Sequence, residues 1–244
     1  MGRMRPSVPT SPVTLSSAQV VSARHLPSLL AMTLSAGAVN AGAFEVSERY
    51  VTHVTGAVTR LGVDTEVMVE SLLVLGAFVL GAMLSVPALA GRVAKGLPPR
   101  PAWPMFGAAF IVLAASVLGL LGVFGPATGG RETTTVEFVM VLALAMGLLN
   151  ASVASSTALA VRTTHMTGPS TDFGVALATA FYQQGDARRQ SLSVAALRGS
   201  TLVAFVVGAA AMFPVVAAFG YAAFLAPAVV LMLATLRSFT SHSP

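Results

Sequence analysis

Cysteine is missing from this chain of 244 residues, and its absence removes disulfides, thiolate metal ligands and thiol nucleophiles together. Charge is scarce as well. Asp, Glu, Lys and Arg make up 9% of the residues, far below the roughly 25% of an ordinary soluble domain. A single Trp among 7% aromatics leaves nothing from which to build a basic surface interleaved with stacking rings, so nucleic acid is not an expected partner. The chain also lacks a His-Glu-x-x-His zinc motif, a Gly-x-Ser-x-Gly elbow and a phosphate-binding Gly-rich loop, and neither an enzyme nor a cofactor-dependent protein is expected. Two His and two Asn are too weak a set to predict a metal. What is abundant is apolar surface. With 55% hydrophobic residues and a mean hydropathy of +0.80, the chain reads as an all-α integral membrane protein with the lipid bilayer as its first partner. The net charge of +5 is spread over short segments between apolar runs, which makes it a topology signal.

A bilayer core of about 30 Å needs about 20 apolar residues in a helix. Met1 to His25 is rich in Pro, Ser and Thr and is predicted to be a disordered tail, placing His25 and, at the other end, His242 outside the fold. Leu26 to Phe44, Ser71 to Gly91, a stretch within Pro101 to Gly130, and Phe138 to Val161 each supply one span. The last run, Gly199 to Leu236, is 38 residues long and carries Pro214, Gly220 and Pro227, which predicts two spans turning near Phe213 to Tyr221. The total expected is six. Leu26 to Phe44 also has the look of a signal peptide, but it has a counterpart later in the chain, so it is read as structural.

That counterpart is part of a repeat. Val51 to Gly62, VTHVTGAVTRLG, returns as Thr163 to Gly174, TTHMTGPSTDFG. Thr52, His53, Thr55, Gly56, Thr59 and Gly62 match Thr164, His165, Thr167, Gly168, Thr171 and Gly174. Upstream of each copy stands Gly-x-x-Asn-Ala, with Asn40 in the first and Asn150 in the second, and Ala77 to Ala82 resembles Ala204 to Ala209. The offset between halves grows from 112 residues at the His motif to 127 at the latter pair, a difference assigned to a polar loop from Phe181 to Arg198. The predicted membrane domain is 26–237, with repeat one at 26–125, repeat two at 137–237, and a short tail at 238–244.

Positive residues stay on the cytoplasmic side. With both termini inside, eleven Arg and Lys fall on inner segments, leaving Arg49, Arg60 and Arg131 outside. Three spans separate the two motif copies, so the halves are expected to have inverted topology, with one copy approaching from each face.

The paired Thr-His-x-Thr-Gly segments, with Gly-x-x-Asn-Ala before each, resemble the YoaK-like family of uncharacterised multispanning bacterial membrane proteins, classed as a domain of unknown function. The resemblance covers about Leu26 to Leu236. Where that family often carries an Asn after the first Thr-Gly and an Asp in the first helix, this chain has Ala57 and Asn40. The family implies a helical membrane fold in the bacterial cytoplasmic membrane and no settled activity.

The residues themselves suggest more. Thr-Gly before a short amphipathic segment is a helix start, with Thr55 placed to cap it. Helix ends carried into the membrane by re-entrant segments present fixed partial charges to ions or polar solutes, whereas surface loops would merely satisfy helix termini. The candidate binding residues are therefore His53, Thr55, Gly56, Thr59 and Arg60 in the first copy, His165, Thr167, Gly168, Thr171 and Asp172 in the second, and Asn40 and Asn150 within the spans. Arg60 and Asp172 occupy equivalent positions with opposite charge, and inversion would bring them together as an ion pair. Glu70 and Glu137 stand at span entrances, where loop arginines are the expected contacts, and Gly37, Gly76, Gly81, Gly147 and Gly208 suit close helix packing. The expected function is a small secondary transporter or permease for an unidentified small solute or ion. The alternatives are a non-catalytic scaffold or partner subunit and a channel-like pore. A chain of 24.8 kDa is compatible with a homodimer.

Overall fold

The computed structural model describes residues 20, 22, 24–52, 56, 59, 65–127 and 134–239. His53, Thr55, Ala57 and Arg60 of the first motif lie outside this set, as does the predicted N-terminal tail apart from Val20, Ser22, Arg24 and His25.

Among the described residues the fold is helical, with no strand. Helix α1 spans Leu26–Ser47, with Pro27 in its first turn, where a missing N–H costs nothing. It ends at Glu48, which takes the left-handed conformation (φ 54°) and donates its N–H to Phe44 O at 2.7 Å. Helix α2 spans Thr65–Leu84 and gives way at Ser85 to a 3-10 turn, Val86–Ala88, and a single helical turn, Ala90–Val93. Helix α3 covers Ala102–Leu120 and α4 covers Val136–Ser156. Then come α5, Thr167–Tyr182, and α6, Gly185–Phe219. A 3-10 segment, Gly220–Phe224, leads into α7, Leu225–Phe239.

Five helical stretches are long and apolar enough to cross a bilayer: Leu26–Ser47, Met68–Val93, Ala102–Leu120, Val136–Ser156 and Gly185–Phe239. The sequence predicts six, because it divides the last of these in two. The break in that 55-residue stretch does fall within it, but at Gly220, where φ is 53°. Pro214 lies inside α6 and does not end it. A proline forfeits one hydrogen bond while its fixed φ remains helical, whereas a residue at positive φ turns the chain out of the helix.

The expected loop from Phe181 to Arg198 is also helical. Only Gln183 and Gln184 are extended, and α6 starts at once from Gly185 with Asp186 in its first turn. Polarity was a poor guide here, because Ala, Arg, Gln and Leu are good helix formers whether or not they face lipid. The result is a helical hairpin, α5 packed against α6, in the second half.

Packing pairs the helices across the two halves. The most extensive contacts are α1 with α6 and α2 with α4, followed by α5 with α6, α3 with α4, α3 with α7 and α1 with α7. Exchanging α1 with α4, α2 with α6 and α3 with α7 returns the same set, α5 apart. Glycine makes the two major crossings possible. A Cβ on Gly37 would run into the carbonyl oxygen of Phe205, and one on Gly208 into that of Leu34. In the other crossing Gly147 meets the carbonyl of Phe78, and Gly81 that of Leu144. Each glycine thus touches the carbonyl three residues before its partner glycine, a reciprocal arrangement that brings backbones close enough for Cα–H···O contacts worth about 0.5–1 kcal/mol each. Gly76 has open space around its Cβ position and takes no part.

Helices α1 and α4 are the most enclosed, and the outer helices turn apolar faces outward: Val79 and Leu80 on α2, Val206 and Val207 on α6. Those faces would be a liability in water and suit a hydrocarbon solvent. At one end of the bundle Phe138 packs edge-on to Tyr221 and Phe224, with centroids at 5.0 and 5.2 Å, and Ser116 donates to Tyr221 O at 2.7 Å.

Candidate functional site

Asn40 lies seven residues before the end of α1, about 10 Å back along the helix axis. Its side-chain oxygen nevertheless accepts hydrogen bonds from both the N–H and the hydroxyl of Thr52, each at 3.0 Å. The chain leaving α1 therefore folds back along the helix it has just completed. The second half repeats the move: Asn150, six residues before the end of α4, accepts the Thr164 N–H at 3.4 Å. In both halves the chain just past the helix is thus tied back to an Asn within it.

The Gly-x-x-Asn spacing explains why. Residues three apart share a helix face, so the turn that lets a neighbouring backbone in at Gly37 or Gly147 aims Asn40 or Asn150 at the space beside it. A cavity of about 460 Å³ occupies that space. Asn40 and Thr52 line it from the first half, and Asn150, Thr164, His165 and Thr167 from the second. Phe78 and Phe205, whose carbonyls meet the crossing glycines, supply its apolar walls, and Arg162 lies at its margin.

Of the candidates named from the sequence, Asn40, Asn150, His165 and Thr167 are thus brought together at one cavity. Gly168 sits against the His165 ring, where a Cβ would come within 3.2 Å of the imidazole. Thr167 is the first residue of α5, so the second Thr-Gly does start a helix, but the N-terminal cap position is Met166 and makes no side-chain bond. Thr171 is exposed and donates to Thr167 O at 3.2 Å. Gly56 and Thr59 are helical, Gly56 half-buried and Thr59 exposed, while His53, Thr55 and Arg60 lie outside the described residues.

The predicted Arg60 partner of Asp172 is likewise outside the description, and the Asp172 carboxylate is met by Arg198 at 3.2 Å. Arg198 also donates to Ala160 O, just past the end of α4. The first half has its own clamp at the corresponding level. Arg49, just past α1, grips Glu70 of α2 with Nε to Oε2 at 3.1 Å and Nη2 to Oε1 at 2.9 Å, and donates to Thr134 O at 2.9 Å. Each half thus carries an ion pair whose Arg also binds a main-chain carbonyl.

The residues missing from the sequence-based list are Thr52, Thr164, Phe78, Phe205, Met166 and Arg162. Thr52, Thr164, Phe78 and Phe205 are repeated identities, so treating every repeated position as a candidate would have found those four. Arg162 has no counterpart and reads from sequence only as a charge in a loop. Among the described residues no three His, Asp or Glu side chains gather as a metal set.

The fold is that of a membrane-type helical protein. Residues 28–237 match the family described as Protein of unknown function (DUF1275), and the chain belongs to that family. No curated protein and no solved structure matches it.

Proposed function

We propose that this protein is a small secondary transporter of the bacterial cytoplasmic membrane, built from two inverted three-helix repeats and exposing one central site alternately to either face. The observation that carries the reading is the cavity itself, lined by equivalent residues of both halves: Asn40 with Asn150, Thr52 with Thr164, and Phe78 with Phe205. Non-helical backbone is tolerated at membrane depth only where it is buried in protein or lines a polar cavity, and Thr52 and Thr164 both line this one.

Six crossings are favoured by length as well as by symmetry. The 15 residues of α7 and the five of the 3-10 segment before it together reach about 32 Å at helical and 3-10 rises, close to a hydrocarbon core. The permutation of packed pairs described above is what a pseudo-twofold between inverted repeats produces. The excess of Arg and Lys on inner segments supports a cytoplasmic position for both termini.

A second reading, a scaffold or partner subunit, has one observation in its favour. The Asn40–Thr52 bonds would lock the fold whether or not anything binds. Reconstitution in liposomes separates the two. Saturable solute flux that is lost on changing His165 or Arg162, with folding retained, supports transport. Absence of flux from a correctly folded protein supports the scaffold, and flux that never saturates indicates a pore.

A further inference from the structure

The donors and acceptors around the cavity are not balanced. The side-chain oxygens of Asn40 and Asn150 are already taken by the main-chain N–H groups of Thr52 and Thr164. With the oxygen of each amide fixed in this way, its other end, an NH2 group with two donors, is left over. Neither NH2 group has an acceptor among the described residues. Arg162 adds a guanidinium with five donors and a permanent charge, and among the described residues it meets no carboxylate. Among the described residues no Asp or Glu lines the cavity. Thr167, the first residue of the 16-residue α5, also lines it, so the positive end of that helix adds to a field already set by Arg162.

A site with unspent amide donors, a guanidinium charge and no carboxylate among its described lining residues selects its complement. We infer that the cavity binds a small oxyanion, a solute carrying a carboxylate or phosphate group, between the amide groups of Asn40 and Asn150 and the Arg162 guanidinium. The apolar remainder of such a solute would lie against Phe78 and Phe205. This rests on the transport reading for its route to the cavity and goes beyond it in naming the chemistry of the cargo. Carboxylate and phosphate share planar or near-planar oxygen pairs that guanidinium and amide groups hold through paired N–H bonds, which is why the class can be named although its member cannot.

Because the protein has no native cysteine, the field in the cavity can be read directly. Single variants Thr167→Cys and Met166→Cys are reacted in neutral phosphatidylcholine nanodiscs with two thiosulfonate reagents of similar size, one bearing a sulfonate and one a trimethylammonium. Rates are normalised to those of a free thiol in solution. The expected result is a preference for the anionic reagent on the order of tenfold, falling toward unity when Arg162→Gln is added and retained with Arg162→Lys. Inorganic phosphate or succinate should slow the reaction, and choline should not. Repeating the measurement in discs containing phosphatidylglycerol separates a free solute from a lipid headgroup. Protection by the lipid alone, with none by phosphate or succinate, would overturn the solute assignment. A preference for the cationic reagent, or none, would overturn the oxyanion assignment and leave the transport reading standing. Failure of either reagent to reach both positions in folded protein would overturn both.

Discussion

The Asn40 side-chain oxygen takes two hydrogen bonds from Thr52, one from the main-chain N–H and one from the hydroxyl, both 3.0 Å long. Asn150 takes one from Thr164, at 3.4 Å. The two anchors hold equivalent segments with unequal strength. Asn40→Ala is expected to cost about 1–2 kcal/mol and Asn150→Ala about 0.5–1, within the range for buried polar groups that lose a partner. Thermal unfolding in detergent measures this; equal losses, or a larger one at Asn150, would contradict it.

Replacing Gly37, Gly81, Gly147 or Gly208 by Ala should separate a helix pair, because each added methyl meets backbone that cannot swing aside. A loss of about 1–3 kcal/mol is expected for each, against a small gain in helix propensity for Gly76→Ala, whose surroundings are open. Tm shifts across the five single variants provide the check, and a Gly76 variant as damaged as the others would refute the crossing geometry.

At the Arg49–Glu70 pair the two partners are 11% and 28% exposed, enough burial that an unpaired charge is costly. Arg49 also holds the carbonyls of Ser47 and Thr134. Arg49→Gln is therefore expected to destabilise by about 2–3 kcal/mol and Glu70→Gln by less, with a double variant less damaged than the sum of the singles. A double-mutant cycle on chemical or thermal unfolding tests the coupling, and simple additivity would deny it.

His25, predicted to belong to a tail, instead precedes α1 directly and packs near Phe239, with ring centroids 6.0 Å apart. Its Nδ1 is buried with no partner among the described residues, and burial, followed by the Arg24 charge, holds its pKa below the usual 6.5. The folded state thus gives up this proton more readily than the unfolded chain. Stability is undiminished above about pH 6.5, falls as pH drops through that value toward the lower folded pKa, and levels off below it. The slope attributable to this site should vanish in His25→Gln, as read from Tm against pH; an unchanged slope would remove His25 from the account.

The apolar spans were legible because hydropathy and length are properties of single helices. Leu26–Phe44 and Phe138–Val161 fall within three and five residues of the observed ends of α1 and α4. The repeat likewise exposed Asn40, Asn150, His165 and Thr167, since each recurs beside a glycine. Two kinds of information were not local. Polar sequence between Phe181 and Arg198 could not announce that it is helical, because its stability comes from α5 and α6 packing together. The meeting of Arg198 with Asp172 depends on where α6 passes, which no spacing along the chain records. Arg162, a cavity residue with no twin in the first half, was legible only as charge.

The two-sided construction of the cavity is most directly tested by sidedness. Single cysteines placed at Ala57 and Ser170, one in each motif copy, are exposed to a membrane-impermeant thiol reagent in sealed vesicles of known orientation. Labelling of the two positions from opposite faces is the predicted outcome. If both react from the same face, the halves are not inverted and the shared site built from them does not exist.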